Sequence, residues 1–224
     1  MFVSLIKNLL SNYCEDYYNE IYTYNEGKNK KTKNFTFSVF MKDFKREEDV
    51  FLTDKVTLNI SSPDKKLILY LYNSLIKMKE YEYEGKYKIC KDTVQIINHK
   101  KIDKDYCIFK TMSPIAVKDK SGKFLNVDDV KYCESLNYII NQSLINYRGK
   151  GLLREIEFIP VDLKKVVVKE KIASFTEKTG KEYMYVNSYS GVFMLKGDNE
   201  DLNDIHKLGI GFRRNQCFGM IDLI

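Results

Sequence analysis

The chain has 224 residues, 44% of them hydrophobic, enough for one large domain or two of about 100 residues each. Lys and Arg outnumber Asp and Glu by 37 to 31, giving a net charge of +6 and a pI near 8.8, which suits a polyanionic partner without requiring one. No apolar run reaches the ~20 residues of a membrane span, MFVSLIKNLL is a poor secretion signal, and the five scattered cysteines form no CxxC pair, which argues against a zinc site or disulfide framework and for a reducing cytoplasm.

In chain order, residues 2–22 read as a helix, with Leu5, Leu9 and Leu10 at helical spacing and Ile6 beside them. A polar basic loop, EGKNKKTKN (26–34), leads into FTFSVFM (35–41), an aromatic-rich buried strand. A second strand spans 54–61, where Val56, Leu58 and Ile60 alternate with polar neighbours. Ser62 as N-cap and Pro63 at the first position start a helix that runs to about Met78. Residues 80–84 and 87–99 follow as a hairpin-like pair turned at Gly85. The order α-β-β-α-β is a ferredoxin-like unit lacking its first strand. That strand is central in the fold, and the reading favours a truncated or misassigned start over another segment filling the gap.

The second half repeats the theme. Residues 106–111 read as a strand and 128–147 as a long helix. Residues 153–159 and 164–169 read as strands, and 182–187 and 191–196 as two more, turned at Ser188–Ser190. DNEDLNDIHKLG (198–209) is a short helix with acidic residues in its first turn and Gly209 as its stop, and CFGMIDLI closes as a strand. The fold class is α+β: two tandem ferredoxin-like (RRM-like) domains, 1–103 and 104–224, packed together.

Three stretches carry a resemblance: FTFSVFM (35–41) after its basic loop, TMSPIAV (111–117), and KLGIGFRRNQCFGM (207–220) preceded by GDNEDL (197–202). In this order and spacing the chain resembles the CRISPR-associated endoribonucleases that cut precursor CRISPR RNA within its repeats. The resemblance implies paired ferredoxin-like folds and metal-independent cleavage, with no cofactor. The ribose 2′-hydroxyl would attack the adjacent phosphate, leaving a 2′,3′-cyclic phosphate and a 5′-hydroxyl. It also implies repeat or guide RNA as partner, with other interference-complex subunits or a homodimer left open and no membrane. The alternative is a relative that holds guide RNA without cutting it.

Such chemistry takes a base, an acid and a cation at the phosphorane. In the family a tyrosine, a histidine and a lysine supply them, from the end of the first helix and the loop before the FTFS-like strand. Carried over, the histidine position falls on Tyr22, or on Tyr24 or Asn25 by the other alignment; the lysine is kept as Lys33, and the tyrosine falls on Lys7. A neighbouring lysine could lower a tyrosine's pKa from its usual value near 10. Set against this, Tyr17, Tyr18, Tyr22 and Tyr24 can simply cap the helix against the core, and the four loop lysines can be a solvated face. His99 reads as an exposed turn residue and His206 as a structural one.

For RNA binding, the reading selects Lys28, Lys30, Lys31 and Lys33 beside the cut site, then Arg148, Lys150 and Arg154 around a glycine turn, and Arg213 and Arg214 in the closing loop. Of 11 glycines, Gly209, Gly211 and Gly219 fall in the last sixteen residues. Gly209 ends a helix, and Gly211 lets the chain pass close to another backbone or a phosphate, where loop amides can cradle an anion. Cys217 stands where the family usually has a glycine.

Overall fold

A computed structural model describes the chain except residues 25–26, 29–31, 48–49 and 172, and the side chains of 24, 27, 28, 173, 174 and 178. Two hydrophobic cores form. The N-terminal one gathers Leu5, Ile6, Leu9 and Leu10 of α1 (Phe2–Tyr13), Tyr17 of α2 (Glu15–Tyr22), Phe35 and Phe37, and Leu67 and Leu71. The i, i+4 spacing of the α1 leucines places them on one buried stripe. The expected single helix breaks at Cys14, whose extended backbone (φ −153°) lets α2 turn back across α1.

Two short strands, β1 (Thr23–Tyr24) and β2 (Gly27–Lys28), pair beyond α2. β3 (Thr36–Met41) then pairs antiparallel with β6 (Val56–Ser61), and the hairpin of β4 (Lys45–Glu47) and β5 (Val50–Leu52) projects between them in sequence. The next helix, α3 (Lys65–Lys77), is capped by Asp64, whose carboxylate accepts from the Lys66 and Leu67 amides, and not by Ser62 as the sequence suggested. Ser62 donates instead to the Asn34 carbonyl. β7 (Glu80–Tyr83) and β8 (Tyr87–Cys90) make the expected hairpin, but β8 stops at Cys90, short of the expected residue 99. Along its second edge β6 pairs with no strand among the described residues. There Leu58–Ser61 line a cavity of about 340 Å³ with Gln95 and Ile97–Lys100.

The C-terminal half is a complete ferredoxin-like unit. Its antiparallel sheet runs β10-β11-β9-β12, with β9 (Tyr106–Thr111), β10 (Glu157–Glu170), β11 (Met184–Lys196) and β12 (Ile221–Leu223). α4 (Tyr132–Arg148) connects β9 to β10, and α6 (Asn199–Leu208) connects β11 to β12. Leu136, Ile140 and Leu144 of α4 and Leu202, Ile205 and Leu208 of α6 are buried in one core with Phe109, Phe193 and Ile221. Four strands read from the sequence are two. β10 continues through an irregularity between Pro160 and Asp162, and β11 continues through Ser188–Ser190, which are strand residues paired with Val166–Lys164. α5 (Ala173–Thr179) lies beyond β10 at the head of this long hairpin.

Side chains tie the halves together. Thr36 donates to the Phe218 carbonyl at 3.1 Å, Ser61 to Lys207 at 2.8 Å and Ser113 to Phe37 at 3.4 Å. Asn146 of α4 donates to the Thr32 carbonyl and the Asn34 side chain, both at 2.8 Å. The chain's two histidines meet at this seam: His99 Nδ1 lies 3.3 Å from His206 Nε2, and His99 Nε2 lies 3.0 Å from the Ser61 hydroxyl. His206 is buried on α6, 3.5 Å from the Asp222 carboxylate and against the Phe109 ring, with Lys207 nearby.

Burial first, then the His99 neighbour, hold the His206 imidazole down at about 4, below its ordinary 6.5. The unfolded chain therefore takes up a proton that the folded protein refuses, and stability present above pH 6.5 is lost as pH falls toward 4. His99, lowered chiefly by burial, adds to the same loss. The expected acid destabilisation from His206 is about 3 kcal/mol. Urea denaturation between pH 7.5 and 4 should show it, and His206→Gln should flatten it.

Candidate RNA interface and lysine cluster

Tyr22 closes α2 at the point where the Cys14 break brings that helix back over α1. Its ring packs tilted against Tyr18, one helical turn earlier, with centroids 5.0 Å apart. Two ammonium groups face the ring: Lys7 of α1 at 5.2 Å and Lys33 at 5.3 Å from its centroid. Such contacts contribute about 0.5–2 kcal/mol each. The structure thus brings together Lys7, Tyr22 and Lys33, three of the sequence-selected residues, from separate segments. Of Tyr24 and Lys28 only the backbone is described, and Lys30 and Lys31 lie outside the described residues. Neither histidine is at the cluster.

The protonation pattern differs from the sequence expectation. Burial, and secondarily Tyr18, raise the Tyr22 phenol above its usual value, so the neighbouring lysines do not make it a base. The lowered group is Lys33. It is buried, donates to the Ile21 carbonyl, and is pushed down by desolvation and then by the Lys7 charge. An amine so placed gives up a proton more readily than an ordinary lysine. Lys7 is exposed and supplies a positive charge at the rim.

In the closing loop the structure shows the first of the two close approaches its glycines left open, to backbone. The backbone of residues 209–220 is stitched to the 112–116 segment and to itself. Ile210 N–H donates to Gly219 at 2.8 Å, Phe212 to Ala116 at 2.7 Å, Gly219 to Pro114 at 2.8 Å and Met112 to Met220 at 2.7 Å. A Cβ on Gly211 would lie 2.6 Å from the Ala116 carbonyl oxygen, and one on Gly219 1.8 Å from that of Ile210. Both glycines also hold positive φ. The close approach at Gly211 is therefore to backbone, and the amides named are already bonded within the protein.

Arg214 is 2% exposed. Its guanidinium donates to the Leu208 carbonyl at 2.6 Å, the Ser143 hydroxyl at 3.0 Å and the Lys33 carbonyl at 3.4 Å. No carboxylate pairs with it among the described residues, and burial pushes its pKa down to about 10, so it stays charged at neutral pH. Arg213, in the left-handed region at φ 65°, pairs with Glu170 and with the Gln216 side chain. Arg148 has all five N–H donors taken: by Glu200, Asp201, Asp204 and the Lys150 and Gly151 carbonyls. These three arginines, expected at RNA, are engaged inside the fold. Arg154 is exposed but contacts the Gly197 carbonyl and Asp105, and Lys150 is exposed. Nothing in the local sequence announces Asp201, fully buried and some fifty residues from the Arg148 it neutralises.

The three stretches that carried the resemblance thus meet in space. Thr36 and Phe37 of the first, Ser113 and Ala116 of the second, and the 209–220 loop of the third form one hydrogen-bonded unit at the seam.

The family model described as CRISPR associated protein Cas6, C-terminal, matches residues 97–223. No curated protein matches the chain. Among solved structures, one from the characterization of a Cas6-related gene of Pyrococcus furiosus superposes with a TM-score of 0.78 at 20% identity, covering 99% of this chain and 88% of that one. A RAMP protein binding different RNA substrates gives 0.76 at 20% identity, with 100% and 90% covered. A CRISPR associated protein Cas6 gives 0.69, again at 20% identity, with 100% and 90% covered. These likenesses bear on the fold.

Replacing Arg214 with Met strands three buried acceptors and should lower unfolding free energy by about 2–4 kcal/mol, read as a lower urea midpoint. The salt dependence of RNA affinity should not change. An unaltered midpoint with a shallower salt slope would put Arg214 on a phosphate instead.

Proposed function

The chain belongs to the Cas6 family of CRISPR-associated proteins, and on that premise we propose that it binds CRISPR repeat RNA and cuts it without metal at the Lys7–Tyr22–Lys33 cluster. The observation that carries this reading is Lys33: a buried lysine of lowered pKa, backed by a tyrosine ring, with the exposed cation Lys7 facing that same ring.

In the proposed step the 2′-oxygen bonds to phosphorus as the P–O5′ bond breaks. The 2′-hydroxyl proton passes to solvent. The Lys33 ammonium donates its proton to the departing 5′-oxygen, giving a 5′-hydroxyl and a 2′,3′-cyclic phosphate. Lys7 neutralises charge on the phosphorane. The Tyr22 ring holds both ammonium groups, and its phenol stays protonated. Alignment of the 2′-oxygen by bound RNA supplies much of the rate, and the lack of a dedicated imidazole base makes the reaction slow.

One observation favours a second reading, a repeat-RNA holder that does not cut: the raised pKa of Tyr22 leaves the cluster without a residue suited to take the 2′-hydroxyl proton. Single-turnover cleavage of its own repeat RNA in EDTA separates the two. A discrete cut is expected, slowed about 10²-fold in Lys33→Ala and only weakly in Tyr22→Phe, which keeps the ring. Because Lys33 must be protonated to act as the acid, the rate should fall as pH rises through its lowered pKa. Tight binding with no cut would establish the holder.

A further inference from the structure

A groove of about 1510 Å³ runs along α4 in the C-terminal half, between that helix, the 118–121 loop and the 152–157 segment, with no residue of the lysine cluster in its lining. Phe212 and Tyr138 both line it, and both are exposed, at 38% and 53%. A phenylalanine held at the surface is informative here because its neighbours Ile210 and Gly211 are buried. The backbone bond from Phe212 N–H to Ala116 fixes its place, so the ring is presented by an anchored loop.

Each exposed ring carries its own lysine. Lys118 Nζ lies 5.1 Å from the Phe212 centroid and 5.8 Å from that of Phe124, and Lys120 Nζ lies 5.5 Å from Tyr138. Both lysines come from one ordered turn. The Asp119 carboxylate accepts from the Ser121 hydroxyl at 2.7 Å and the Lys123 amide at 2.9 Å, and Lys118 bridges to Phe124. The acid between the two lysines is thus bonded into its own turn. Glu134, Glu155 and Glu157 also line the groove and would repel phosphate, which confines a nucleic acid to the part lined by Phe212, Tyr138 and the two lysines.

Flat rings alternating with flexible cations are what single-stranded RNA asks of a protein: bases stack on the rings and ammonium groups meet the intervening phosphates. We propose that this part of the groove is a stacking platform for unpaired nucleotides of the bound RNA, with Phe212 and Tyr138 as the stacking residues and Lys118 and Lys120 as the phosphate contacts. The inference rests on the RNA-binding reading above and extends it to residues outside the Lys7–Tyr22–Lys33 cluster.

The test is fluorescence anisotropy with labelled single-stranded repeat RNA, on wild type, Phe212→Leu, Tyr138→Leu, and Lys118→Gln with Lys120→Gln. Leucine keeps apolar bulk while removing the stacking face. Each aromatic change should weaken binding about tenfold, and the double lysine change should make the salt dependence shallower by about two phosphate contacts. Crosslinking with 4-thiouridine RNA should label peptides containing Tyr138 or Phe212. Wild-type binding with every variant within twofold of it, or crosslinks confined to other segments, overturns the platform alone. Absence of wild-type binding overturns the RNA reading and the platform with it.

Discussion

A single buried cation sets the geometry on which the rest depends. Removing a guanidinium from water costs several kcal/mol, and Arg214 has no anion to offset it among the described residues. The offset comes from oriented oxygen dipoles: the carbonyl near the end of α6, a hydroxyl on α4, and the carbonyl of Lys33 in the other half. Hydrogen bonds to a charged donor contribute about 1.5–3 kcal/mol each. The arrangement is favourable only while all three oxygens stay in place, so the arginine penalises any slippage of one half against the other. Because one of those oxygens belongs to Lys33, that residue is referenced through its own backbone to the C-terminal core.

The same reasoning explains how charge is distributed over this protein. A positive net charge suggested that arginines mark the RNA path. Arg148 is held by three carboxylates, Arg213 by Glu170, and Arg214 by backbone and serine oxygens. Arginine's fixed fork of donors suits it to such internal bracing. The exposed positive charge is left mostly to lysines, whose compact and strongly hydrated ammonium groups are poorly suited to burial. Lys33, which is buried, is the exception, and burial lowers its pKa.

Much of the architecture was legible from the sequence because it rests on periodicity. The leucine stripe of α1 reflects burial on one face, and the acidic first turn of α6 reflects the helix dipole. Errors arose where a local signal was real but overridden. Residues 160–163 and the Ser188–Ser190 run read as gaps between strands, yet cross-strand pairing continues past both, and the Ser188 hydroxyl is satisfied by the Val166 carbonyl. Ser62 and Asp64 are both good caps two residues apart, and only the observed hydrogen bonds decide between them. Lys7, Tyr22 and Lys33, selected through the resemblance, do lie against one another, but the expected direction for the tyrosine was wrong, because burial depends on neighbours distant in sequence. The groove of Phe212 and Tyr138 carries no local signature at all, since its parts are separated by more than seventy residues.

The meeting of His99 and His206 has a practical side. Imidazole ring protons resonate apart from most other protein signals, and this chain contains no third imidazole to confuse them. His99 touches both Ser61 of β6 and His206 of α6, so a movement that parts β6 from α6 must alter both rings' surroundings together. The protein carries an intrinsic spectroscopic gauge where β6 meets α6, able to report without any attached label whether loading a nucleic acid tightens or loosens that contact.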